Sequence, residues 1–459
     1  MAERGATLVI RGGAVVTDDP LEPLRRLDVA IADGVVAALG DGLEVPSGAT
    51  VLEAGGCYVG PGLVDLHAHL REPGAEESET VETASRAAAL GGFTAIVAMP
   101  NTTPAIDSAG VARQVLELGR GALCEVAVAG AITLDRAGER LAPMGELADL
   151  GITLFTDDGS GVQDGALMRR ALDYARGLGV TLAQHCEDAA IAGGGVMHEG
   201  EWSGRLGLPG APAAAEEAML ARDLALVALT GAPMHFLHLS SAGSVELVRR
   251  AKAQGLPVTA EVAPHHLYLS HELVAGYDPV FRVNPPLRTL DDIEALKTGL
   301  ADRTIDAIAT DHAPHAPEAK DRPFDQAPPG MLGLETALAV AFSALHGPVG
   351  EGVQAYGAQG PRRAPWRILE LLSSAPAAIA RLRSTDARRG GHSAQGGPIA
   401  LGAAANLCVF DARETWTVDA GALASRSRNT PYAGRTLFGR VRHTVLRGEP
   451  VVIDAVAQR

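Results

Sequence analysis

Apolar residues are arranged in two textures. Near both ends they form short β-like runs, at residues 8–16 and 29–39 and again at 406–410, 415–418 and 441–453. These runs are broken by Gly-Gly, Asp-Asp-Pro, Asp-Gly and Arg447-Gly448-Glu449-Pro450, turn chemistry that predicts hairpins. Between the ends, eight apolar runs recur at 62–70, 94–99, 125–132, 152–156, 181–185, 234–239, 258–262 and 307–310. The segments between them, such as 79–90, 165–178, 214–229 and 244–253, are alanine-rich and repeat their apolar residues every three to four positions, as surface helices do. Eight strands alternating with helices predict an α/β fold, a TIM (β/α)8 barrel, with a small β-sandwich domain formed from both chain ends. The expected division is 1–58 and 386–459 for the two parts of the sandwich and 59–385 for the barrel. A doubly wound sheet would give a similar string, so strand counting leaves that alternative open. Stretches 347–365 and 381–397, rich in Gly, Arg and Ser, read as exposed loops.

Composition narrows the function. The 459 residues are 47% apolar and 20% charged, enough for a large core and incompatible with disorder or a coiled coil. The 54 Gly and 28 Pro are spread throughout as punctuation, so the fold has many turns. Acidic residues outnumber basic ones, 55 to 39, for a net charge of −16. No basic block exceeds short pairs such as Arg25-Arg26, which makes nucleic acid and anionic membranes poor partners. Cys57, Cys124, Cys186 and Cys408 are far apart and form no Cys-x-x-Cys, a pattern that fits reduced thiols. The first residues lack the basic-then-apolar order of a signal peptide, and no run of about 18 apolar residues follows. A soluble cytoplasmic protein is expected.

Polar residues collect where the predicted strands end. In Gly62-Leu63-Val64-Asp65-Leu66-His67-Ala68-His69-Leu70-Arg71, period-two alternation puts His67, His69 and Arg71 on one face, and two imidazoles so spaced can share a metal. Asp158, His185, His238 and Asp311 close the fourth, fifth, sixth and eighth runs. The C-terminal ends of barrel strands converge on one mouth, where active sites are built. Six His and Asp residues gathered there suit Zn2+ with a position left for water, whose pKa the metal lowers to about 7.

Pro61-Gly62-Leu63-Val64-Asp65-Leu66-His67-Ala68-His69, the β-rich ends and the order of the later candidates resemble the amidohydrolase superfamily. Within it, the continuation His69-Leu70-Arg71-Glu72-Pro73-Gly74, with Met99-Pro100-Asn101-Thr102, Glu261-Val262-Ala263-Pro264-His265-His266, Arg282-Val283-Asn284-Pro285-Pro286-Leu287-Arg288 and Thr310-Asp311-His312-Ala313-Pro314-His315, resembles the long-chain (class I) bacterial dihydroorotase family. The likeness covers nearly the whole chain. It implies reversible cyclisation of N-carbamoyl-L-aspartate to L-dihydroorotate, a step of pyrimidine synthesis. It also implies one or two zinc ions, two favoured, with His67 and His69 on one and His185 and His238 on the other. Many superfamily members bridge their metals with a carboxylated lysine, but Lys252, Lys297 and Lys320 are the only lysines and none is near the fourth strand. Asp158 takes that place, 27 residues before His185 as the class leads one to expect, and Asp157 is left to the turn. Asp311 is implied to touch the first metal and to act as the general base and acid.

The same resemblance assigns substrate contacts to His69, Arg71, Asn101, Asn284 and His315 and to the backbone at Pro329 and Gly330. Arg71 offers a planar fork for the ring carboxylate. His265 and His266, if extended, face opposite sides and are given no ligand role. His312 and Cys186 are expected to face away into packing, and His198, His271, His346, His392 and His443 to lie on the surface or in loops. Asn406 replaces an aspartate usual in the family's end motif, far from the chemistry. Allantoinase and dihydropyrimidinase are the nearest alternative activities. Arg71 speaks against the second, and the Met99-Pro100-Asn101-Thr102 motif against the first. A non-catalytic scaffold for aspartate carbamoyltransferase is a further alternative, disfavoured because all six ligands are present. Association with that partner by an active enzyme, and a homodimer, are compatible with the family.

Overall fold

The computed structural model describes residues 6–17, 24–346, 364–383 and 394–459. Stretches 347–365 and 381–397 lie largely outside those residues, as does the expected boundary at 385/386. The chain opens with β1 (Leu8–Val16), β2 (Leu24–Ala32), β3 (Val35–Gly40), β4 (Thr50–Glu53) and β5 (Tyr58–Pro61). It continues with β6 (Leu63–Ala68), β7 (Phe93–Ala98), β8 (Glu125–Val128), β9 (Leu154–Thr156) and β10 (Thr181–Gln184). A two-residue ladder, β11 (Met197–His198) with β12 (Gly210–Ala211), precedes β13 (Met234–Phe236), β14 (Val258–Val262) and β15 (Ala307–Ile308). The last strands are β16 (Leu407–Thr417), β17 (Thr436–Leu446), β18 (Glu449–Ile453) and β19 (Val456–Ala457).

All eight central runs are strands. They form two parallel sheets, β6-β7-β8 and β9-β10-β13-β14-β15, with neighbours in sequence order. That order lacks the reversal on which a doubly wound sheet depends, which removes that alternative. Parallel bridges link Gly130 to Phe155 and Ala68 to His312, at the edges of the two sheets. Helices fill the connections close to the predicted positions, at Val81–Leu90, Gly165–Leu178, Ala213–Thr230 and Ala242–Ala253. Their starts carry their own signals: Thr80 and Thr83 form a capping box, and Asp164 accepts from the N–H groups of Ala166 and Leu167. Gly179, left-handed at φ 68°, ends the second of these.

Inside the parallel sheets the core is built from small side chains such as Ala95, Ala127, Ala183 and Ala307 with Val64, Leu66 and Val97, and Ala377, Ala380 and Leu382 cover it. A larger apolar layer, including Phe93, Phe155, Leu172 and Phe236, lies between strands and helices. The chain ends meet in a single nine-stranded mixed sheet, in which β5 joins β16 and β1 joins β5. Leu8, Ile10, Val29, Val59, Val409 and Val445 form its own buried cluster. Asn406 sits at this junction, 4% exposed, accepting from the Arg447 N–H and donating to the Ala394 carbonyl. An amide can do both, and an aspartate could only accept.

Gly91, which ends the first helix, packs directly on backbone. A Cβ there would overlap the Leu334 carbonyl. Gly91→Ala should therefore cost about 1–3 kcal/mol, read as a lower denaturation midpoint with unchanged far-UV circular dichroism. A midpoint equal to the parent's would show that the Leu334 segment yields freely.

Candidate metal centre

The strand ends deliver six side chains to one buried cluster. His67 is the penultimate residue of β6, His69 follows it, His185 follows β10 directly, and Asp158, His238 and Asp311 lie two or three residues past β9, β13 and β15. Each is 5% exposed or less. Asp157, next to Asp158, is used structurally. One of its oxygens accepts from the N–H groups of Ile132 and Thr133, at 2.8 and 3.0 Å, and the other pairs with the Thr133 hydroxyl. That tie fixes the end of β9 and leaves Asp158 for the interior. His238 and Asp311 have positive φ, 28° and 46°, and Arg71 has 63°. Such conformations cost about 1–3 kcal/mol each and persist where the surroundings hold them.

Asp158 is at the centre. Its Oδ1 lies 3.3 Å from His67 Nε2 and 3.6 Å from both His185 Nδ1 and His238 Nε2, and its Oδ2 lies 3.5 Å from His69 Nε2. Asp311 Oδ1 is 3.1 Å from His69 Nε2 and 3.6 Å from His67 Nε2. His185 Nδ1 and His238 Nε2 face each other at 2.9 Å. Two sets of ligand atoms are close enough to share an ion, His67 with Asp158 and His238, and His67 with His69 and Asp311.

Proton counting shows why a cation fits. His69 Nδ1 donates to Asn101 Oδ1 at 2.9 Å, and burial lowers the pKa of His69, so the neutral ring has no second proton for Asp311. His67 Nδ1 donates to Glu261 Oε1 at 3.0 Å, so its Nε2 lone pair faces two carboxylates. His67 Nε2 and Asp158 Oδ1 are buried and lack a hydrogen-bond partner. Lone pairs converging in a dry site need shared positive charge, from protons or from a metal. In the metal-free protein protons supply it. Burial opposes charging of His67, but Asp158 and Glu261 raise its pKa well above the ordinary value. Burial likewise opposes His185, and the carboxylates of Asp158 and Glu187 lift it to about 9. Asp158 and Asp311 are held well below the usual carboxylate range, against burial, by the imidazoles around them.

The other predicted residues stand beside this cluster. Arg71 Nε donates to the Pro314 carbonyl at 3.0 Å, and among the described residues its terminal nitrogens donate to no protein acceptor. His315 is neutral, its pKa pushed down to about 3 by burial and by Arg71, and its Nε2 donates to the Pro329 carbonyl at 2.7 Å. Gly330 has φ 146°, and a Cβ there would stand 2.8 Å from the Ala313 carbonyl and from His315 Nε2. Asn284 Nδ2 donates to Glu187 Oε2 at 2.7 Å and lies 3.5 Å from His185 Nε2.

Sequence reasoning missed Glu261, His235, Glu187 and Asn429. Glu261 and His235 are polar residues inside otherwise apolar strand runs, a signal that was available. Asn429, whose amide donates to the carbonyls of Ala313 and Gly330, had no local signal. Two expectations are corrected. His265 and His266 lie on a short helix, Pro264–Tyr268, so they are neighbours around a turn and not on opposite faces of a strand; both are buried, 4.4 Å apart. His443 is a buried residue of β17, because both ring nitrogens are taken up within the sheet domain: Nε2 donates to the Glu53 carbonyl and Nδ1 accepts from the Asp454 N–H. His198 and His271 are half-buried and packed edge to face at 5.0 Å beside Arg288. His312 packs as expected, against Glu79 and the Gly333 N–H. Cys186 is a buried thiol whose pKa burial raises. His392 lies outside the described residues, as does the side chain of His346.

Residues 56–244 match the family model described as Dihydro-orotase-like. A dihydroorotase of Geobacter sp. (strain M21) is 45% identical over 97% of this chain and 99% of its own. Those of Streptomyces coelicolor and Leifsonia xyli are 46% and 47% identical, over 97% and 96% of this chain and 98% and 96% of theirs. Among solved structures, the L-hydantoinase (dihydropyrimidinase) of Arthrobacter aurescens superposes with a TM-score of 0.83 at 22% identity, over 99% of this chain and 98% of its own. A D-hydantoinase superposes with 0.80 at 24%, over 98% and 96%. At those identities the two structures speak for the fold alone.

The protons held in the metal-free cluster make its stability depend on pH. With its folded pKa raised to about 9, His185 stabilises the metal-free protein fully below its ordinary 6.5, and loses this as pH rises through 9. Asp158, shifted down, contributes above its ordinary 3.8 and loses this as pH falls below it. The chelated protein should lose up to about 3 kcal/mol between pH 6.5 and 9, while metal-loaded protein, whose ligands bind deprotonated, should not. Melting curves across that range with and without chelator check this; parallel curves would show that the cluster holds no such protons.

Proposed function

The chain belongs to the dihydroorotase family, and we propose that its strand-end cluster carries out the reversible cyclisation of N-carbamoyl-L-aspartate to L-dihydroorotate and water, the reaction of de novo pyrimidine synthesis. It is an enzyme, a cyclic-amide hydrolase. The observation that carries this reading is the convergence of all six strand-end candidates in one buried cluster, four imidazoles around Asp158 and Asp311 beside two of them.

We read the two parallel sheets as one eight-stranded barrel over residues 59–385. The nine-stranded sheet, folded over its own cluster, is the sandwich of 1–58 and 386–459. His67, His69, Asp158, His185, His238 and Asp311 would hold zinc, two ions favoured. When bound, zinc supplies Lewis acidity and lowers the pKa of water to about 7.

The chain's own residues do the rest. Arg71 pairs its terminal nitrogens with the ring carboxylate. Asn101 has its carbonyl occupied by His69, which leaves its NH2 to donate to substrate. Asn284 and neutral His315 border the ring, and the backbone at Pro329 and Gly330 closes over it. In the hydrolytic direction Asp311, ionised, takes the proton of the attacking water and hands it to the departing ring nitrogen as the C–N bond breaks. In the biosynthetic direction it takes a proton from the carbamoyl nitrogen and returns it to the leaving water.

Dihydropyrimidinase substrates carry no ring carboxylate, so Arg71 would face nothing there. A non-catalytic scaffold is disfavoured because the six candidates are complete and assembled. No helix among the described residues is long and apolar enough to cross a membrane. A cytoplasmic enzyme with free, buried thiols fits the reading. Assembly as a homodimer, or with aspartate carbamoyltransferase, belongs to it as well, and co-elution on gel filtration tests both.

Zinc-loaded protein should hydrolyse L-dihydroorotate and leave allantoin and dihydrouracil unchanged, and chelation should abolish turnover. Turnover of either other ring instead, or none with metal present, would overturn the assignment. Arg71→Ala should raise KM for dihydroorotate at least about tenfold, the loss of a charge-assisted pair. Asp311→Asn should lower kcat by about 10²–10⁴. An unchanged KM in the first variant would remove the carboxylate argument.

A further inference from the structure

Two strands carry an interior row of polar groups that the proposed chemistry leaves unused. Thr259 and Glu261 alternate along β14, and His235 on β13 pairs in register with Thr259. Thr259 Oγ1 lies 2.8 Å from His235 Nδ1, His235 Nε2 lies 3.0 Å from Glu261 Oε2, and Glu261 Oε1 lies 3.0 Å from His67 Nδ1. His67 and His235 are fully buried and Glu261 is 1% exposed. A carboxylate this deep is retained only where hydrogen bonds compensate its desolvation.

An ionised Glu261 can only accept, so both rings must donate to it: His67 carries its proton on Nδ1 and His235 on Nε2. In the neutral ring that a metal would bind, Nε2 is then the nitrogen without a proton, and it is the atom aimed at Asp158 and Asp311. His67 is also common to both groups of side chains able to share an ion. His235, although an imidazole close to the cluster, is not a ligand, because its two nitrogens are engaged by Glu261 and Thr259. His69 has a different support, the neutral amide of Asn101. Of the two first-strand histidines, His67 has an anion at its Nδ1 and His69 a neutral amide.

We propose that Glu261, braced by His235 and Thr259, is a positioning residue that locks His67 in the tautomer presenting Nε2 and makes that nitrogen a stronger donor to the metal. Hydrogen-bonded carboxylates behind a metal-ligating histidine orient the ring and raise its basicity, and their loss costs 10- to 100-fold in metal affinity. The inference rests on the metal-centre reading above and concerns a residue to which that reading gives neither a ligand nor a catalytic role.

The test is zinc affinity, measured by competition with a chromophoric chelator for the parent protein, Glu261→Leu and Glu261→Gln. Melting curves of the metal-free proteins establish that the variants are folded. Glu261→Leu should bind zinc about 10- to 100-fold more weakly. Glu261→Gln should fall between it and the parent, since an amide oxygen still accepts from His67 but carries no charge. The low-field proton resonance of the His67 N–H should vanish in Glu261→Leu and move upfield in Glu261→Gln, changes that simple packing loss would not produce in order. If Glu261→Leu does not fold, Glu261→Gln decides. Folded variants that bind zinc as tightly as a zinc-binding parent would overturn this inference alone. A parent that binds no zinc would overturn it together with the metal-centre reading.

Discussion

Asp158 lies where four imidazoles meet, and the charge balance around it is the constraint on which the upper layer of the strands depends. Its two oxygens face different rings, Oδ1 toward His67, His185 and His238 and Oδ2 toward His69. With Asp311 beside it, the cluster holds more lone pairs than protons. Burial forbids leaving such a deficit to solvent, so the site must be filled by a cation or must raise the pKa of its own histidines. The same requirement explains why the surrounding groups are arranged to spend ring protons outward. Glu261 accepts a hydrogen bond from Nδ1 of His67 and Asn101 one from Nδ1 of His69, and each leaves Nε2 facing inward.

Holding that convergence imposes a backbone cost, and buried acceptors offset it. Just past the strained His238, the Glu216 carboxylate accepts from the N–H groups of Ser240 and Ser241 and the Ser240 hydroxyl. Arg288 donates to the same hydroxyl at 3.1 Å, so the loop after β13 is tied to the segment that carries Asn284. On the opposite side, Asn429 accepts from the His315 N–H and donates to Ala313 and Gly330. A residue from near the end of the chain thus braces the loop that carries Pro329 and Gly330. The hydantoinases of known structure share this scaffold with TM-scores of 0.80 and 0.83 at 24% and 22% identity. A scaffold shared at such low identity carries no substrate by itself, which is why the proposed function rests on individual side chains such as Arg71 and on these loops.

Much of this was legible in the amino-acid order because it obeys short-range rules. Period-two alternation placed His67 and His69 on one face, the eight runs all became strands, and Asp158 was separated from Asp157 by family likeness and its spacing of 27 residues before His185. What was missed had partners far away in sequence. Glu261 looks like one acidic residue in a strand until β13 and β6 bring His235 and His67 to within 3.0 Å of its two oxygens. The misread histidines failed for a related reason. His265 and His266 were judged as if extended, but Pro264 starts a helical turn there, and His443 was taken as exposed because a polar residue in a β-rich end carries no local mark of burial.

The order of residues alone determined which side chains stand at strand ends and which chemistry they share, since strand alternation and turn residues are local and need no partner. It also determined the family, because ordered motifs spread over nearly the whole chain carry that information without a fold. Tertiary structure decided the rest: which ring nitrogen faces inward, which carboxylate is structural, and which buried groups brace the loops. Those properties depend on distances between strands and on the dielectric they enclose. No stretch of sequence encodes either quantity, because both arise only when residues tens to hundreds of positions apart are packed together and water is removed.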